Sequence, residues 1–370
     1  MYKIAKFNSE LRTGIDEVLK QFSIAITLAI GAWLGTGAPP AQAAPCLIVT
    51  LTGTTGGPPV INGLAGAGTL VRYGDDANNC GALNLQFDSG RDTAMRLSQL
   101  GVTPGQLNAI FFTHMHSDHT EGFADIMLAR WIVDPARPKI DLVCSADSVS
   151  PLGIKISCKN FVQHFADAFL QSGEIAQRST EGIAGSGGPT DLTNVITFEP
   201  NNELQLIWSS GDVKVSAIGS NHIAGHASYR VDTPAGSVVI GGDATNDKVA
   251  PPRSASTSDQ VEKLAKGADV IVHSTIHPAM GPDKGSGFPA PIFYRQSSAS
   301  DLGAMAKRTG AKYLMLTHLI PPLGVGRAGP FSIPGGPLAE ADYRKAVEES
   351  GFAGDVVVGT DLASVRLPPK

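Results

Sequence analysis

The segment Thr113-His114-Met115-His116-Ser117-Asp118-His119-Thr120-Glu121-Gly122 constrains this chain more than any other. It crowds three of the nine histidines and a carboxylate into six consecutive positions. The apolar run Ala109-Ile110-Phe111-Phe112 precedes it and a helix-like stretch at 121–131 follows, which places the cluster on a loop at the end of a buried strand. Imidazoles and a carboxylate converging on one loop suit a borderline-soft divalent ion, zinc first, with iron or manganese as alternatives. Polar residues scattered on an exposed loop would leave this placement after a buried strand to chance.

Short apolar runs rich in Val, Ile and Leu predict further strands at 46–51, 69–73, 83–87, 140–144, 204–208, 213–218, 228–231, 237–240, 270–272, 313–316 and 356–358. Helix-length segments at 91–100, 160–170, 257–266, 300–309 and 338–349 alternate with them. Residues 180–194, with Gly182, Gly185, Gly187, Gly188 and Pro189, predict a flexible loop, and 278–291 and 320–337 predict surface loops near a site. Strands mixed with helices throughout argue for α/β layers, with sheets packed together and helices outside. No internal repeat or linker divides 46–370, which is expected to form one domain.

Residues 1–45 have the layout of a signal peptide: Lys3, Lys6, Arg12 and Lys20 precede the uncharged apolar run Phe22 to Leu34, which leads to Ala41-Gln42-Ala43. Cleavage is expected near Ala43 or Ala44; the alternative is an uncleaved anchor, since the leader also carries Glu10, Asp16 and Glu17. The expected product is periplasmic or secreted, without stable membrane association once cleaved. Cys46, Cys80, Cys144 and Cys158 all follow that point, and an even number in an oxidising compartment suggests disulfides, the local pairing being Cys46–Cys80 and Cys144–Cys158. Four buried thiols remain the alternative. Without the leader, 25 basic groups face 31 acidic ones, a net charge of about −6, and no basic run compensates. Nucleic acid is therefore not the expected partner, which leaves a small-molecule substrate. A homodimer is left open.

The run His114, His116, Asp118 and His119 matches in full the H-x-H-x-D-H motif of the metallo-β-lactamase superfamily, which the chain resembles. The resemblance implies a four-layer αββα sandwich and further ligands downstream. Asn221-His222-Ile223-Ala224-Gly225-His226-Ala227-Ser228-Tyr229-Arg230 is similar to the family segment in which a ligand histidine precedes a strand; His222 has the better spacing, leaving His226 a supporting or substrate-facing role. Val239-Ile240-Gly241-Gly242-Asp243 resembles the segment that supplies a bridging carboxylate, and Tyr313-Leu314-Met315-Leu316-Thr317-His318 resembles the last ligand position. Two zinc ions are thus implied, one held by His114, His116 and His222 and one by Asp118, His119 and His318, with Asp243 between them. Asp118, His119 and Asp243 are the residues expected to act in catalysis.

The glycine-rich Leu51-Thr52-Gly53-Thr54-Thr55-Gly56-Gly57-Pro58 and the segment Ala306-Lys307-Arg308-Thr309-Gly310-Ala311-Lys312 are similar to the ribonuclease Z-like and arylsulfatase-like branch. One departure stands out. Where ribonuclease Z carries a His-Ser-Thr segment whose histidine assists proton transfer, this chain reads Arg295-Gln296-Ser297-Ser298. His273 or His277 could take that role, or make structural hydrogen bonds at a strand end. His164 is expected at a helix surface or core edge and not as a ligand. The family's chemistry implies a metal-bridged hydroxide attacking an ester, first a phosphodiester or aryl sulfate. A lactone or β-lactam ring is the alternative, and a non-enzymatic metal-binding protein the third class.

Overall fold

The computed structural model describes residues 43–134, 136, 138–182 and 188–367, so the expected leader lies outside the described residues except for its last three positions. The chain divides between Ala43 and Ala44, and everything below belongs to the second unit. No described helix is long and apolar enough to cross a membrane.

Two seven-stranded sheets carry the fold. The first runs from edge to edge through β18 (Ser364–Leu367), β1 (Pro45–Gly53), β2 (Gly68–Asp75), β3 (Leu83–Phe87), β4 (Ala109–Phe111), β5 (Ile140–Ser145) and β8 (Thr193–Phe198). The second runs through β17 (Asp355–Val358), β14 (Tyr313–Ile320), β13 (Val270–Ile276), β12 (Gly236–Ile240), β11 (Ala227–Thr233), β10 (Val213–Gly219) and β9 (Gln205–Ser210). Two small ribbons, β6–β7 (Ser148–Val149 with Lys155–Ile156) and β15–β16 (Arg327–Ala328 with Phe331–Ser332), lie outside them. Each sheet is half antiparallel and half parallel, changing at β3 in the first and at β12 in the second. The inner strands of the parallel halves are largely buried on both faces, which is why segments such as Val270-Ile271-Val272 read as unbroken apolar runs.

Alternation along the strands divides the interior into three cores. Leu47, Val49, Phe87 and Phe111 of the first sheet meet Val215, Tyr229, Val238 and Val272 of the second in the sandwich centre. Ile110, Phe112 and Leu142 face outward to the helices Phe123–Val133 and Cys158–Gln171. Val239, Ile271 and Leu314 face the opposite way, to the helices Asp259–Ala265, Ala299–Thr309 and Glu340–Glu348. This is the four-layer αββα arrangement that the resemblance implied. Both local disulfides form, Cys46–Cys80 and Cys144–Cys158, with Cα separations of 5.4 and 6.4 Å.

Several segments differ from expectation, the two small ribbons and the short helix Ala290–Phe293 among them. The loop predicted over 180–194 is shorter than expected: Pro189–Leu192 is a 3-10 turn and Thr193 opens β8. β8 pairs only with β5 and is half exposed, so its apolar signal is weak and the neighbouring glycines and proline mask it. β18 and the short helix Glu174–Ser179 were not expected either.

Tyr229 ties the two sheets together at the metal end of the sandwich. Its ring lies against Phe87 and Phe111, and its buried hydroxyl donates to the carbonyl of Phe112 at 2.6 Å. Tyr229→Phe strands that carbonyl and should lower stability by about 1 to 3 kcal/mol. Tyr229→Ala also opens a cavity and should cost about 3 to 5 kcal/mol. The denaturant midpoints of the two variants measure both.

Candidate metal centre

Every sequence-expected ligand lies at the C-terminal end of a strand or in the loop that follows it, and the two sheets bring these ends together. Beyond β4, Phe112 and Thr113 remain buried, His116 keeps extended backbone angles, and Ser117–Thr120 forms one turn of helix that carries Asp118 and His119. The amide of Ser89 donates to the carbonyl of His119 at 2.7 Å, tying that turn to the end of β3.

Asp88, which sequence inspection did not single out, organises this end of the sheet. Its backbone is left-handed, with φ 53°, and its carboxylate is buried. One oxygen accepts the Thr113 amide at 2.8 Å; the other accepts the Thr113 hydroxyl and meets His119 Nδ1, both at 2.8 Å. Since a carboxylate only accepts, His119 Nδ1 carries the proton and Nε2 is left with a lone pair. The Thr113 hydroxyl, having donated to Asp88, accepts from His114 Nδ1 at 3.0 Å, so His114 Nε2 is freed in the same way. The available signal was the apolar β3 run ending in Phe87-Asp88-Ser89-Gly90, a strand–acid–turn pattern like the one recognised at Asp243.

The freed atoms converge. His114 Nε2 lies 2.9 Å from His116 Nδ1, which is 3.4 Å from His222 Nε2. On the other side, Asp118 Oδ2 lies 3.1 Å from His318 Nε2 and 3.6 Å from His119 Nε2. Asp243 Oδ2 sits between, 3.5 Å from His119, 3.7 Å from His222 and 3.3 Å from His318. Three sets of potential ligand atoms each lie within 4.8 Å: His114, His116 and His222; Asp118, His119 and His318; and His114, His119 and Asp243. His119 Nε2 and Asp243 Oδ1 are buried without a hydrogen-bond partner, a state that costs about 1 to 3 kcal/mol per group unless a ligand takes the lone pair. A nitrogen and carboxylate donor set with open lone pairs fits divalent cations such as zinc.

Electrostatics suit the same role. Burial would lower His119 and His318, but Asp243 and the carboxylates of Asp88 and Asp118 raise both above the usual imidazole range, so a cation held there would take the place of the Nε2 protons. Burial would raise the Asp118 carboxyl, but the His318 hydrogen bond and the positive charge at His119 and His318 outweigh it and hold the pKa below the usual range. Asp243 is likewise held far down, its burial outweighed by His318 and His119. Burial lowers His222 to about 4, which keeps the imidazole neutral and its lone pair available.

His226 occupies a different place from His222. Its Nε2 accepts the Asp243 amide at 3.2 Å and its Nδ1 meets the Ser220 hydroxyl at 2.9 Å, so both ring nitrogens are engaged by the protein. It positions Asp243. Gly242 makes this contact feasible: its φ is +60°, and a Cβ there would stand 2.9 Å from His226 Nε2. His318 does not end its strand, as its Thr-His context suggested. β14 continues to Ile320, and His318 is the extra residue of a bulge opposite Ser274 and Thr275, with φ 47°. The bulge turns the imidazole towards Asp118 and Asp243.

Neither His273 nor His277 lines the pocket, so the role in proton transfer considered for them has no geometric support. His273 is buried and meets the Ser274 carbonyl through Nδ1 at 2.8 Å. His277 accepts the Ala279 amide in a 3-10 turn and packs on Tyr343. His164 is exposed on its helix.

The centre opens into a pocket of about 330 Å³. Gly56-Gly57-Pro58-Pro59 form one wall; the two expected surface loops supply the other through Phe288, Pro330 and Phe331, joined by Ile292 just beyond the first of them. Gly57 donates its amide to Asp118 Oδ2 at 3.0 Å, and a Cβ on Gly56 would lie 2.7 Å from His318 Nδ1. No described residue of 180–194 reaches the pocket.

Residues 78–277, more than half of the chain, match the family described as Anti-Pycsar protein Apyc1. The chain belongs to this family. As an Apyc1 relative it is a ribonuclease Z-like hydrolase of the metallo-β-lactamase superfamily. It is 25% identical over 333 residues to ribonuclease Z of Mycobacterium bovis, an alignment covering 88% of this chain and 99% of that protein. Two solved structures share the fold. Human tRNase Z, short form, superposes with a TM-score of 0.55 at 17% identity, covering 87% of this chain and 99% of its own. The metallo-β-lactamase fold protein YhfI from Bacillus subtilis gives 0.53 at 19% identity, with the same coverages.

These relatives correct one expectation. The exclusion of nucleic acid, with the restriction to a small ester, does not stand, because proteins aligned with most of the Apyc1-family chain are ribonucleases by name. A net charge summed over the whole surface does not report the potential inside a cleft, where cations bound by the site dominate.

His226 has both ring nitrogens engaged by the protein while His222 Nε2 faces His116 and Asp243, and elemental analysis of purified variants tests which of the two is a ligand. His222→Ala should lose about one of two metal equivalents, whereas His226→Gln should keep both. Asp88→Asn should weaken metal affinity about 10- to 100-fold without removing a ligand. Full occupancy in His222→Ala together with loss in His226→Gln would reverse the assignment.

Proposed function

We propose that the chain is a two-metal phosphodiesterase, with His114, His116 and His222 holding one divalent cation, Asp118, His119 and His318 the other, and Asp243 shared between them. One observation carries this proposal: two ligand groups meet at a single carboxylate on the floor of a single pocket. Bound zinc would supply Lewis-acid polarisation of a phosphoryl oxygen and a water of lowered pKa. The chain's own residues do the rest. Asp88 and Thr113 fix the tautomers of His119 and His114, and His226 holds Asp243 through its amide. The Gly57 amide fixes Asp118 at the pocket floor and keeps its carboxylate ionised as a ligand. The apolar walls exclude water from the reacting phosphate.

The ribonuclease Z relatives support phosphodiesters ahead of aryl sulfates, lactones and β-lactams, and they keep RNA within the substrates to be tested. Leaving-group departure differs from that branch in one respect. Gln296 lines the pocket where the branch carries a histidine, and a carboxamide cannot donate a proton as an acid. Substrates with good leaving groups are therefore favoured.

Turnover of bis-nitrophenyl phosphate, precursor tRNA, nitrophenyl sulfate, an acyl-homoserine lactone and a chromogenic cephalosporin tests the reaction class. Hydrolysis of the phosphodiesters is expected, abolished by chelation and restored by zinc. A protein that turns over only the lactone or the cephalosporin refutes the proposal. Across aryl phosphodiesters the rate should fall steeply as leaving-group pKa rises, and Gln296→His should flatten that dependence.

We further propose that the mature chain works outside the cytoplasm, supported by the leader-like residues 1–45 and by the two disulfides. Intact mass of the protein from an exporting host should correspond to a start near Ala44 or Pro45. Recovery of the unprocessed chain from the cytoplasm would reject this.

A further inference from the structure

Arg295 is the only lysine or arginine among the residues lining the pocket, which it shares with His116, Asp118, His222, Asp243 and His318. It is half-buried beside Ile292 and Gln296. Most arginines so placed in this protein have acceptors: Arg96 takes Asp361 and the Gly63 carbonyl, Arg230 takes Asp232 and two carbonyls, and Arg253 takes the Tyr294 carbonyl. The Arg295 guanidinium has no such acceptor among the described residues. The adjacent Gln296 is buried with its Oε1 equally unpartnered.

The backbone that presents the pair is firmly held. The amides of Arg295 and Gln296 donate to Ile292 and Phe293, and the Tyr294 carbonyl accepts from Arg253 and Thr245. The Ser297 hydroxyl donates to the carbonyl of Ala244, the residue after Asp243, at 2.8 Å. The turn that carries Arg295 is therefore tied to the metal centre through Ser297 and Ala244. A fixed cation facing a site built for two more is unfavourable until an anion enters between them, and a guanidinium fork matches the oxygens of a phosphoryl group.

We propose that Arg295 binds a non-bridging oxygen of the substrate phosphate and so makes the site select anionic phosphoesters over neutral esters. The proposal rests on the two-metal phosphodiesterase assignment. Arg295 works on binding and orientation, Gln296 beside it accepts or donates a neutral hydrogen bond, and neither moves a proton.

The test uses the metal-loaded wild type with Arg295→Ala, Arg295→Gln and Arg295→Lys, each checked for an unchanged thermal midpoint and metal content. Calorimetric titration with inorganic phosphate should show affinity falling about 10- to 100-fold in Arg295→Ala and Arg295→Gln, the range for one charge-assisted hydrogen bond, with partial recovery in Arg295→Lys. The ratio of kcat/KM for bis-nitrophenyl phosphate to that for neutral nitrophenyl acetate should fall by a similar factor. Phosphate affinity and substrate ratio both within threefold of wild type in Arg295→Ala would overturn the proposal. If the wild type hydrolyses no phosphodiester, the reaction assignment fails by itself, and the phosphate titration still decides what Arg295 binds.

Discussion

The carboxylate of Asp88 is the constraint from which the centre is built. Buried and left-handed in backbone, it accepts from the Thr113 amide, the Thr113 hydroxyl and His119 Nδ1 at the junction of β3 and β4. Those bonds fix the path of the chain out of β4, set the tautomer of His119 directly and set that of His114 through the hydroxyl. The pattern is reciprocal. A buried carboxylate is tolerable only if its lone pairs are taken, and the imidazoles are useful ligands only if their outer nitrogens are. The strain of a left-handed aspartate persists because three donors hold it in place.

The second sheet answers with the same device in other residues. His226 holds the Asp243 amide as Asp88 holds that of Thr113, and Gly242 turns the chain so that the contact can form. At β14 the turn is made inside the strand, by the bulge at His318. The parallel halves of both sheets direct these strand ends to one rim, the usual location of sites in sheets of this kind. Asp243 can then lie within 3.7 Å of histidines drawn from three separate segments.

Above this rim the pocket divides the work between chemically different walls. Proline, isoleucine and phenylalanine side chains make the walls apolar, while the charged groups lie on the floor. Arg295 and Gln296 interrupt the apolar wall at one point, on a turn bonded to the strand end that carries Asp243. Arg295 places a cation and Gln296 a carboxamide in that gap, so under the proposed function this part of the wall would serve charge recognition and not acid catalysis.

Much of this was legible in the sequence because the ligand motif is local. Four site residues fall within six positions, and the strand before them is announced by an uninterrupted apolar run. Strands buried on both faces were visible for the same reason, while the half-exposed edge strands β8 and β18 were not, since one partner and partial burial leave a weak pattern. Asp88 escaped notice because its role depends on Thr113 and His119, 25 and 31 residues away. His222 and His226 lie four positions apart in one loop and are alike by composition, and only the folded backbone tells them apart, by spending the lone pair of His226 on an amide. Sequence alone determined which residue types are available to bind metal and which strands carry them. Which nitrogen faces the centre, which histidine supports and which cation waits in the pocket wall were decided by the tertiary structure, because lone-pair direction depends on hydrogen bonds between segments remote in the chain.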